Sequence, residues 1–314
     1  MIELENAGKN YGSFPALRNI SFHVLKNETV GLLGRNGAGK TTLLNLITGY
    51  FPPTGGKVRI CGRSMAEEPA ACKRMIGYLP EKPPLYDEMT TESYLRFVCE
   101  LREVKKKGIR DHVEEILSLC GLQEVRRRPL GHLSKGYRQR AGIAQALCGA
   151  PEILILDEPT VGLDPEQTAE IRELICRLSA EHTVLFSSHI LSEVQQVCTR
   201  VIILDEGVMA LDYDAAKPAG ELIRLRLEVA GEAEAVLGKL RQMQGVLNAE
   251  KLREGAADSG VVEVRLTLER GGDTGAALDR TFRMLADSGL RVRMMREEKE
   301  SLEEVFLRSI RQEA

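Results

Sequence analysis

Long apolar segments are missing from this chain of 314 residues. Its apolar runs, such as ILIL at 153–156 and VIIL at 201–204, fall far short of the roughly 18 residues that a membrane-spanning helix needs. The N-terminal segment MIELENAGKNYG also lacks the basic stretch and apolar stretch of a secretion signal. We therefore expect a chain that does not cross the membrane and that lies in the cytoplasm.

Two other patterns are missing as well. The seven cysteines are odd in number and form no CxxC pair, which argues against a disulfide framework and against a zinc site. The formal net charge of −3 leaves no basic excess of the kind that nucleic-acid binding needs, so we expect no nucleic-acid partner. The length is large for a single core and predicts two domains, or one large α/β domain with an appended segment.

A glycine-rich segment near the N-terminus lies between a short apolar run and a helical pattern. Residues 29–33 (TVGLL) lead into GRNGAGKT at 34–41, and TLLNLITGYF continues at helical spacing until Pro52 and Pro53. The order strand, glycine loop, helix and the spacing GxxxxGK[ST] are typical of a phosphate-binding loop. The alternative is a glycine-rich turn with a chance lysine.

Each residue type of such a loop has a task. Gly34, Gly37 and Gly39 let backbone N–H groups approach the phosphates, Lys40 reaches the β- and γ-oxygens, and Thr41 faces Mg²⁺. The expected nucleotide-binding set also includes their neighbours Asn36, Ala38 and Thr42.

Polar residues follow two further apolar strands. In PEILILDEPT the strand Ile153 to Leu156 ends in Asp157, which we expect to hold Mg²⁺, and Glu158, which we expect to polarise the attacking water. The strand TVLFSS at 183–188 delivers His189 to the same sheet edge. A lone histidine is more often structural, but this position favours a contact with the γ-phosphate.

A carboxylate also follows the strand in RMIGYLPEKPPLYDEMT. Glu81 comes after Leu79 and Pro80, at the strand's carboxyl edge, where ligands bind in parallel α/β sheets. The charge is therefore either simply solvated or part of the site.

The segment HLSKGYRQRAGIAQAL at 132–147 predicts a helix capped by Ser134, with Arg138 and Arg140 exposed. Its N-terminus offers free N–H groups and a serine hydroxyl to an anion.

Together these segments resemble the ATP-binding cassette (ABC) family over about residues 1–215. Tyr11 matches its adenine-stacking aromatic, GRNGAGKT its Walker A loop, LSKGYRQR its signature and ILILDEP its Walker B strand. TVGLD, with Asp164, matches its D-loop, and Ser188–His189 matches its switch.

The resemblance implies ATP and Mg²⁺ as ligands and a head-to-tail dimer of two cassettes. Ser134 and Gly136 of one copy would close on the ATP held by the other copy, with Asp164 nearby. Lys40, Mg²⁺ and the opposing helix N-terminus would neutralise charge as water attacks the γ-phosphate. That cycle would drive a separate membrane (permease) subunit and would hold the chain on the inner face of the cell membrane.

The sequence departs from the usual motifs at three positions. Lys135 and Tyr137 stand in the signature where LSGGQ has glycine and glutamine. Glu81 stands where the family usually has the glutamine of the Q-loop, and a carboxylate there can still bind Mg²⁺. The flanking KPPLYDEMT, with Leu85, Tyr86 and Met89, is the expected surface for the membrane partner.

With the motifs YLPExxPLYxxMT and LSKGYRQR, the chain resembles the ATPase subunits of bacterial exporters of the drug-resistance, sodium-efflux and gliding-motility type. The alternative function is a cytosolic ABC ATPase that acts as a protein or nucleic-acid switch. The near-neutral charge and the lack of a coiled-coil insertion between Lys40 and Ser134 argue against it.

The predicted fold class is α/β, a P-loop NTPase cassette with a mixed sheet and a helical subdomain, followed by a small α+β domain. We expect the cassette at 1–217, with its helical subdomain at about 85–150, and the second domain at 218–314. The second domain has strand and helix patterns in the order βαββαβ, typical of a ferredoxin-like fold, and then a terminal helix SLEEVFLRSI. It would either support stability or dimerisation, or sense a ligand.

Overall fold

A computed structural model describes residues 1–214, 222–243, 245–254, 261–269 and 274–297. These residues fall into two compact units, 1–214 and 222–297. The expected boundary at 217/218 and the expected terminal helix at 301–310 lie outside the described residues. No helix within the described ranges is long and apolar enough to span a membrane.

The strands of the first unit are β1 (Ile2–Tyr11), β2 (Phe14–Val24), β3 (Thr29–Leu33), β4 (Gly55–Ile60), β5 (Arg63–Ser64), β6 (Ile76–Leu79), β7 (Ile153–Leu156), β8 (Thr183–Ser188), β9 (Arg200–Asp205) and β10 (Val208–Asp214). Its helices are α1 (Lys40–Ile47), α2 (Pro69–Arg74), α3 (Thr91–Leu101), α4 (Lys106–Leu119), α5 (Lys135–Leu147), α6 (Pro165–Leu178) and α7 (Leu191–Val197). Two short 3-10 turns, Gln123–Val125 and Leu130–His132, precede α5.

A six-stranded mixed sheet forms the centre of this unit, in the order β10-β9-β3-β8-β7-β6. Strand β10 is antiparallel to β9, and the pairings from β9 to β6 are parallel. Strands β3, β7 and β8 are buried along their whole length, which explains their uninterrupted apolar character. Because parallel strands end at the same edge, the segments after β3, β6, β7 and β8 meet there.

A second, antiparallel sheet has the order β2-β1-β4-β5. Its inner side chains, such as Ile2, Leu4 and Ile60, share one apolar core with Val30 and Ile155 of the six-stranded sheet. Strand β1 ends at Tyr11, so this sheet carries the predicted adenine-stacking ring.

Helices α3, α4 and α5 lie between β6 and β7. Thr90 and Ser134 cap α3 and α5, each accepting a hydrogen bond from a backbone N–H three residues on. The prediction that Arg138 and Arg140 are exposed is wrong. Both are half-buried and form ion pairs, with Asp87 before α3 and with Glu170 of α6, which draw the guanidinium groups against the fold.

The second unit contains β11 (Leu222–Ala230), α8 (Ala233–Arg241), β12 (Val246–Glu254), β13 (Val261–Glu269), α9 (Thr274–Asp287) and β14 (Arg291–Glu297). The strands form an antiparallel sheet in the order β12-β13-β11-β14. Alternate residues of β11, from Ile223 to Val229, are buried in a core with Leu237 and Leu240 of α8. This unit therefore has an apolar core of its own.

Candidate functional site

A cavity of about 440 Å³ lies at the carboxyl ends of the central strands. The predicted site residues that line it are Tyr11, Asn36, Gly37, Gly39, Lys40, Thr41, Thr42, Glu81, Glu158 and His189. Residues from five separate segments of the sequence therefore meet at one place. Four further lining residues, Phe14, Ala16, Arg35 and Val161, were not predicted.

The loop between β3 and α1 takes a shape that only glycine accommodates easily. Gly37 and Gly39 have φ of 87° and 104°, in the left-handed region. A Cβ at Gly39 would lie 2.8 Å from Leu17 Cδ2, and one at Gly34 would lie 2.6 Å from the Leu204 carbonyl oxygen. No side chain caps α1, so its first N–H groups are available to an anion in the cavity.

Lys40, the first residue of α1, is almost fully buried. Its Nζ donates to the Gly34 carbonyl oxygen at 2.7 Å and lies 3.2 Å from Glu158 Oε1. The loop backbone and a carboxylate thus hold the ammonium group beside the glycine loop, where a phosphate would lie.

Glu158 is the centre of a set of contacts. Its Oε2 accepts a hydrogen bond from His189 Nδ1 at 2.7 Å, and its own backbone N–H donates to Ser187 Oγ at 2.9 Å. Its φ of 48° lies in the left-handed region, an unfavourable conformation for a side chain of this size. Strained residues of this kind cluster at functional sites, where the surroundings hold them in place.

Asp157 is fully buried beside this group. Ser187 Oγ donates to its Oδ1 at 2.7 Å, whereas Oδ2 is buried and has no hydrogen-bond partner. Burial raises the pKa of Asp157; the hydroxyls of Ser187 and Thr41 oppose this, and the carboxylates of Glu158 and Glu81 add to it. A buried carboxylate oxygen without a partner is suited to a cation.

The donor set fits Mg²⁺ rather than a metal held by the protein alone. Among the described residues, no group of three or more His, Cys, Asp or Glu side chains could hold a metal ion. Mg²⁺ is usually bound by one or two carboxylates together with phosphates and water. Asp157 Oδ2 and the hydroxyl of Thr41, which line one groove with Glu81, provide protein ligands of the required kind.

Tyr11 also lines the cavity and is 44% exposed. One edge of its ring meets Phe51 at a centroid distance of 6.1 Å and an interplanar angle of 87°, and Lys9 Nζ lies 5.6 Å from its centroid. The ring is therefore fixed from the side, and part of its surface is open to a flat ligand.

The remaining predicted residues do not line this cavity. Gly34 and Ala38 lie within the loop, and Asp157 lines the neighbouring groove. Ser134 caps α5 by accepting from the Tyr137 N–H at 3.4 Å, and Asp164 caps α6 by accepting from the Gln167 N–H at 2.8 Å. A Cβ at Gly136 would lie 2.9 Å from Gln167 Cδ, so the signature and the D-loop lie side by side.

A second groove, of about 840 Å³, runs along α1, β6, α3 and α5. Glu81 lines both this groove and the cavity, and Tyr50, Pro84, Val98 and Arg102 line only the groove. Beside the groove residue Pro84, Tyr86 is 54% exposed and packs against Tyr94 and Phe97 of α3. Glu81 thus stands between the nucleotide cavity and an open, partly apolar surface.

Comparison with known proteins places the chain in a family. The family model described as ABC transporter matches residues 17–161. The ABC transporter ATP-binding protein YxlF of Bacillus subtilis is 40% identical, with 66% of this chain and 68% of YxlF covered. The lantibiotic transport ATP-binding protein SrtF of Streptococcus pyogenes is 35% identical, with 71% and 95% covered. The linearmycin resistance ATP-binding protein LnrL of B. subtilis is 34% identical, with 78% and 80% covered.

Solved structures agree with the sequence relatives. The ATP-binding subunit of an ABC transporter superposes with a TM-score of 0.63 at 30% identity, over 68% of this chain and 90% of that one. A dimeric cassette in a post-hydrolysis state, bound to ADP and Pi, has a TM-score of 0.63 at 26% identity, over 68% and 98%.

The chain belongs to the ABC transporter ATP-binding proteins. It is an ATP-binding and ATP-hydrolysing subunit of such a transporter. Subunits of this family dimerise and work with membrane permease subunits.

Proposed function

We propose that this chain hydrolyses MgATP at a site completed by a second copy of itself and so drives an exporter in the cell membrane. The observation that carries the proposal is the contact of Lys40, Glu158 and His189 at the mouth of a phosphate-binding loop. Glu158 Oε1 lies 3.2 Å from Lys40 Nζ, and its Oε2 lies 2.7 Å from His189 Nδ1.

Within one chain, the cavity binds ATP with its phosphates against the glycine loop and its base on Tyr11. The N–H groups of Gly37, Gly39 and the start of α1 bind the phosphates, and Lys40 binds the β- and γ-oxygens. Asn36 and Thr42 complete the lining, and Gly34 and Ala38 keep the loop in shape. The Lys40 ammonium group then moves from Glu158 towards the phosphate.

Glu158 acts as the general base, taking a proton from the attacking water. His189 donates to Glu158 in this structure and is placed to donate to the γ-phosphate once ATP is bound. Asp157, Thr41 and Glu81 would hold Mg²⁺, which neutralises charge on the β- and γ-oxygens when bound.

The second copy supplies the groups that the cavity lacks. Ser134, Gly136 and Asp164 do not line the cavity of their own chain, yet Ser134 and Gly136 stand at an accessible helix N-terminus suited to a phosphate. A head-to-tail dimer would bring this N-terminus over the ATP of the partner. The pair would close on ATP and reopen after hydrolysis.

The groove beside Glu81 is the proposed contact with the permease. It is open, it is lined by both apolar and charged residues, and the exposed ring of Tyr86 lies beside it, with Leu85 and Met89 in the same segment. A short helix of the permease in this groove would move with the helical segment and sense the nucleotide through Glu81. This contact would hold the chain at the inner face of the membrane.

The second unit is proposed to be a ferredoxin-like domain. Its described elements follow the order βαββαβ, and its first and third strands, β11 and β13, lie in the middle of the sheet. We propose that it supports the stability or dimerisation of the cassette rather than sensing a ligand.

The names of the relatives support an exporter of the resistance type. Relatives are named for bacitracin transport, lantibiotic transport and linearmycin resistance. An antibiotic of the bacitracin, lantibiotic or linearmycin kind is therefore the proposed class of cargo, carried by the permease.

The first experiment compares wild-type chain with Glu158→Gln. We expect hydrolysis to fall at least about 100-fold, the scale of a lost general base, while MgATP still binds and a dimer accumulates on size-exclusion chromatography. Turnover at the wild-type rate would contradict the assignment of Glu158. Purification from detergent-solubilised membranes should recover a multi-span permease, and its absence would favour a non-transport switch.

A further inference from the structure

A buried carboxylate outside the cavity connects the two catalytic segments. Glu193, in the first turn of α7, is almost fully buried and does not line the nucleotide cavity. Its Oε2 accepts a hydrogen bond from Thr160 Oγ1 at 2.7 Å and another from Ser188 Oγ at 2.9 Å. One carboxylate oxygen thus accepts hydrogen bonds from the segment that follows β7 and from the last residue of β8.

The two hydroxyls flank the catalytic pair in the sequence. Thr160 follows Glu158 by two residues, and Ser188 directly precedes His189. The side chains of Glu158 and His189 meet at 2.7 Å, so the segments are joined twice, once in the cavity and once behind it at Glu193. Movement of either segment alone would break the second connection.

Both segments need such support. Glu158 has the left-handed φ of 48°, a conformation that persists only when its surroundings impose it. Ser188 Oγ also accepts from the Ile190 N–H at 3.0 Å, which fixes the backbone on the far side of His189. Hydrogen bonds to a buried carboxylate are short and strong, so this network is stiff.

The carboxylate is not required to dock α7 on the sheet. Val194 and Cys198 pack so closely against β3 that a Cβ at Gly31 would lie 2.1 Å from Val194 Cγ1 and 3.2 Å from Cys198 Sγ. Apolar contacts therefore hold the helix against the sheet. The hydrogen bonds of Glu193 instead fix Thr160 and Ser188.

We propose that Glu193 is a positioning residue for hydrolysis. By accepting hydrogen bonds from Thr160 and Ser188, it keeps Glu158 and His189 in their relative positions. This inference rests on the proposed roles of Glu158 and His189. Since Thr160 begins the segment that leads to Asp164, Glu193 also ties His189 to the loop that would face the second copy.

The test measures steady-state ATPase activity of the full chain with Glu193→Ala and Glu193→Gln. Loss of the carboxylate in Glu193→Ala should lower kcat about 10- to 100-fold, the effect of a slightly misplaced catalytic group. KM for ATP should change by less than about threefold, because the glycine loop and Lys40, which provide most of the phosphate contacts, do not touch Glu193. Glu193→Gln should retain most of kcat, since its amide oxygen can accept both hydroxyls. Gln195→Ala, on an exposed position of the same helix, is the matched control.

The decisive comparison repeats Glu193→Ala in a His189→Ala background. In that background Glu193 can act only on the Glu158 segment, through Thr160, so the substitution should cost clearly less kcat than it does in the wild-type chain. A full additional loss would overturn the proposal. Equal losses in Glu193→Ala and Glu193→Gln, accompanied by a lower Tm, would also overturn it, because they would indicate a structural role alone.

Thr160→Val provides a second variant if Glu193→Ala does not fold. It removes one hydroxyl at nearly constant volume and should lower kcat in the same direction; an unchanged kcat would contradict the proposal. Glu158→Gln in the same assay separates the two hypotheses. If Glu158→Gln is inactive and Glu193→Ala is fully active, only the role of Glu193 fails, whereas an active Glu158→Gln removes the proposed function itself.

Discussion

Two helix N-termini in the cassette are both suited to binding a phosphate, but they are built differently. Helix α1 has no side-chain cap, follows a glycine with φ of 104°, and opens into the cavity of its own chain. Helix α5 is capped by its own Ser134, through a long hydrogen bond of 3.4 Å, and does not line that cavity.

The difference indicates when each N-terminus contacts ATP and which chain holds that ATP. The N-terminus of α1 leaves its N–H groups free and lies beside Lys40 and the strand-end carboxylates, an arrangement that can bind ATP within one chain. The end of α5 keeps a weak internal cap that a phosphate could replace. We infer that α1 binds ATP first and that α5 adds its contact only when a partner chain closes.

The largest expected effect is a difference in ATP affinity between variants at the N-termini of α1 and α5. Lys40→Ala removes a charge-assisted contact to the phosphates, and ATP affinity of the single chain should fall about 10- to 100-fold. Gly136→Asp, at the α5 end, should leave that affinity unchanged at protein concentrations too low for dimers. Fluorescent-nucleotide titration measures both, and a comparable loss in Gly136→Asp would mean that α5 contacts ATP within its own chain.

Asp157→Asn tests whether Asp157 is a Mg²⁺ ligand beside the phosphate-binding loop. Burial raises the pKa of Asp157, so the folded state holds this proton more tightly than the unfolded state. Stability therefore falls as pH rises above the ordinary pKa of an aspartate, about 3.9, and through the raised pKa of Asp157. Asp157→Asn should remove that loss and so raise the Tm of the ligand-free chain at pH 7.

The same variant should gain little from MgATP, because the orphan oxygen is lost. Thermal scans with and without MgATP at several pH values measure both effects. A lower Tm for Asp157→Asn without ligand would contradict the account of this buried charge.

Glu81→Gln should have a smaller effect on metal dependence. The Glu81 carboxylate adds to the negative potential at Asp157, so ATP should bind poorly to the wild type when Mg²⁺ is removed by EDTA. The variant should narrow the ratio of affinities with and without Mg²⁺ by about threefold, as expected for one exposed charge. Glu88→Gln, an exposed neighbour outside the cavity lining, serves as control. An unchanged ratio would mean that Glu81 is merely solvated.

The smallest effect distinguishes the α5 cap from an ordinary one. Thr90 caps α3 with a hydrogen bond of 3.3 Å, similar to that of Ser134. Alanine at either position should cost about 0.5–1 kcal/mol of stability. Only Ser134→Ala should also lower ATPase activity. Equal activity of Ser134→Ala and Thr90→Ala would mean that Ser134 does not take part in ATP binding or hydrolysis.

The strand-end residues were predictable because their signals are local. Buried parallel strands are uninterrupted apolar runs, so Ile153–Leu156 and Thr183–Ser188 identified the positions of Asp157, Glu158 and His189 from sequence alone. The N-terminal sheet was not predicted. Strand β1 contains register shifts between Leu4 and Ala7, with Asn6 at φ 49°, and these break the alternation that would have indicated a strand.

Glu193 escaped the sequence analysis for a different reason. A glutamate in the first turn of a helix is usually solvated, and its burial depends on Thr160, which is 33 residues away in the sequence. Arg138 and Arg140 were wrongly predicted to be exposed because their partners, Asp87 and Glu170, are also distant in sequence. Contacts between polar groups on different elements leave no periodic pattern.

The most direct test of the composite site mixes two inactive chains. Lys40→Ala lacks a working α1 site, and Gly136→Asp lacks a working α5 end, so neither should hydrolyse ATP alone. In a head-to-tail dimer a mixed pair keeps one intact site, and random pairing predicts about a quarter of wild-type activity in an equal mixture. No recovery from the mixture, with both chains folded and able to dimerise, would contradict a site shared between two chains.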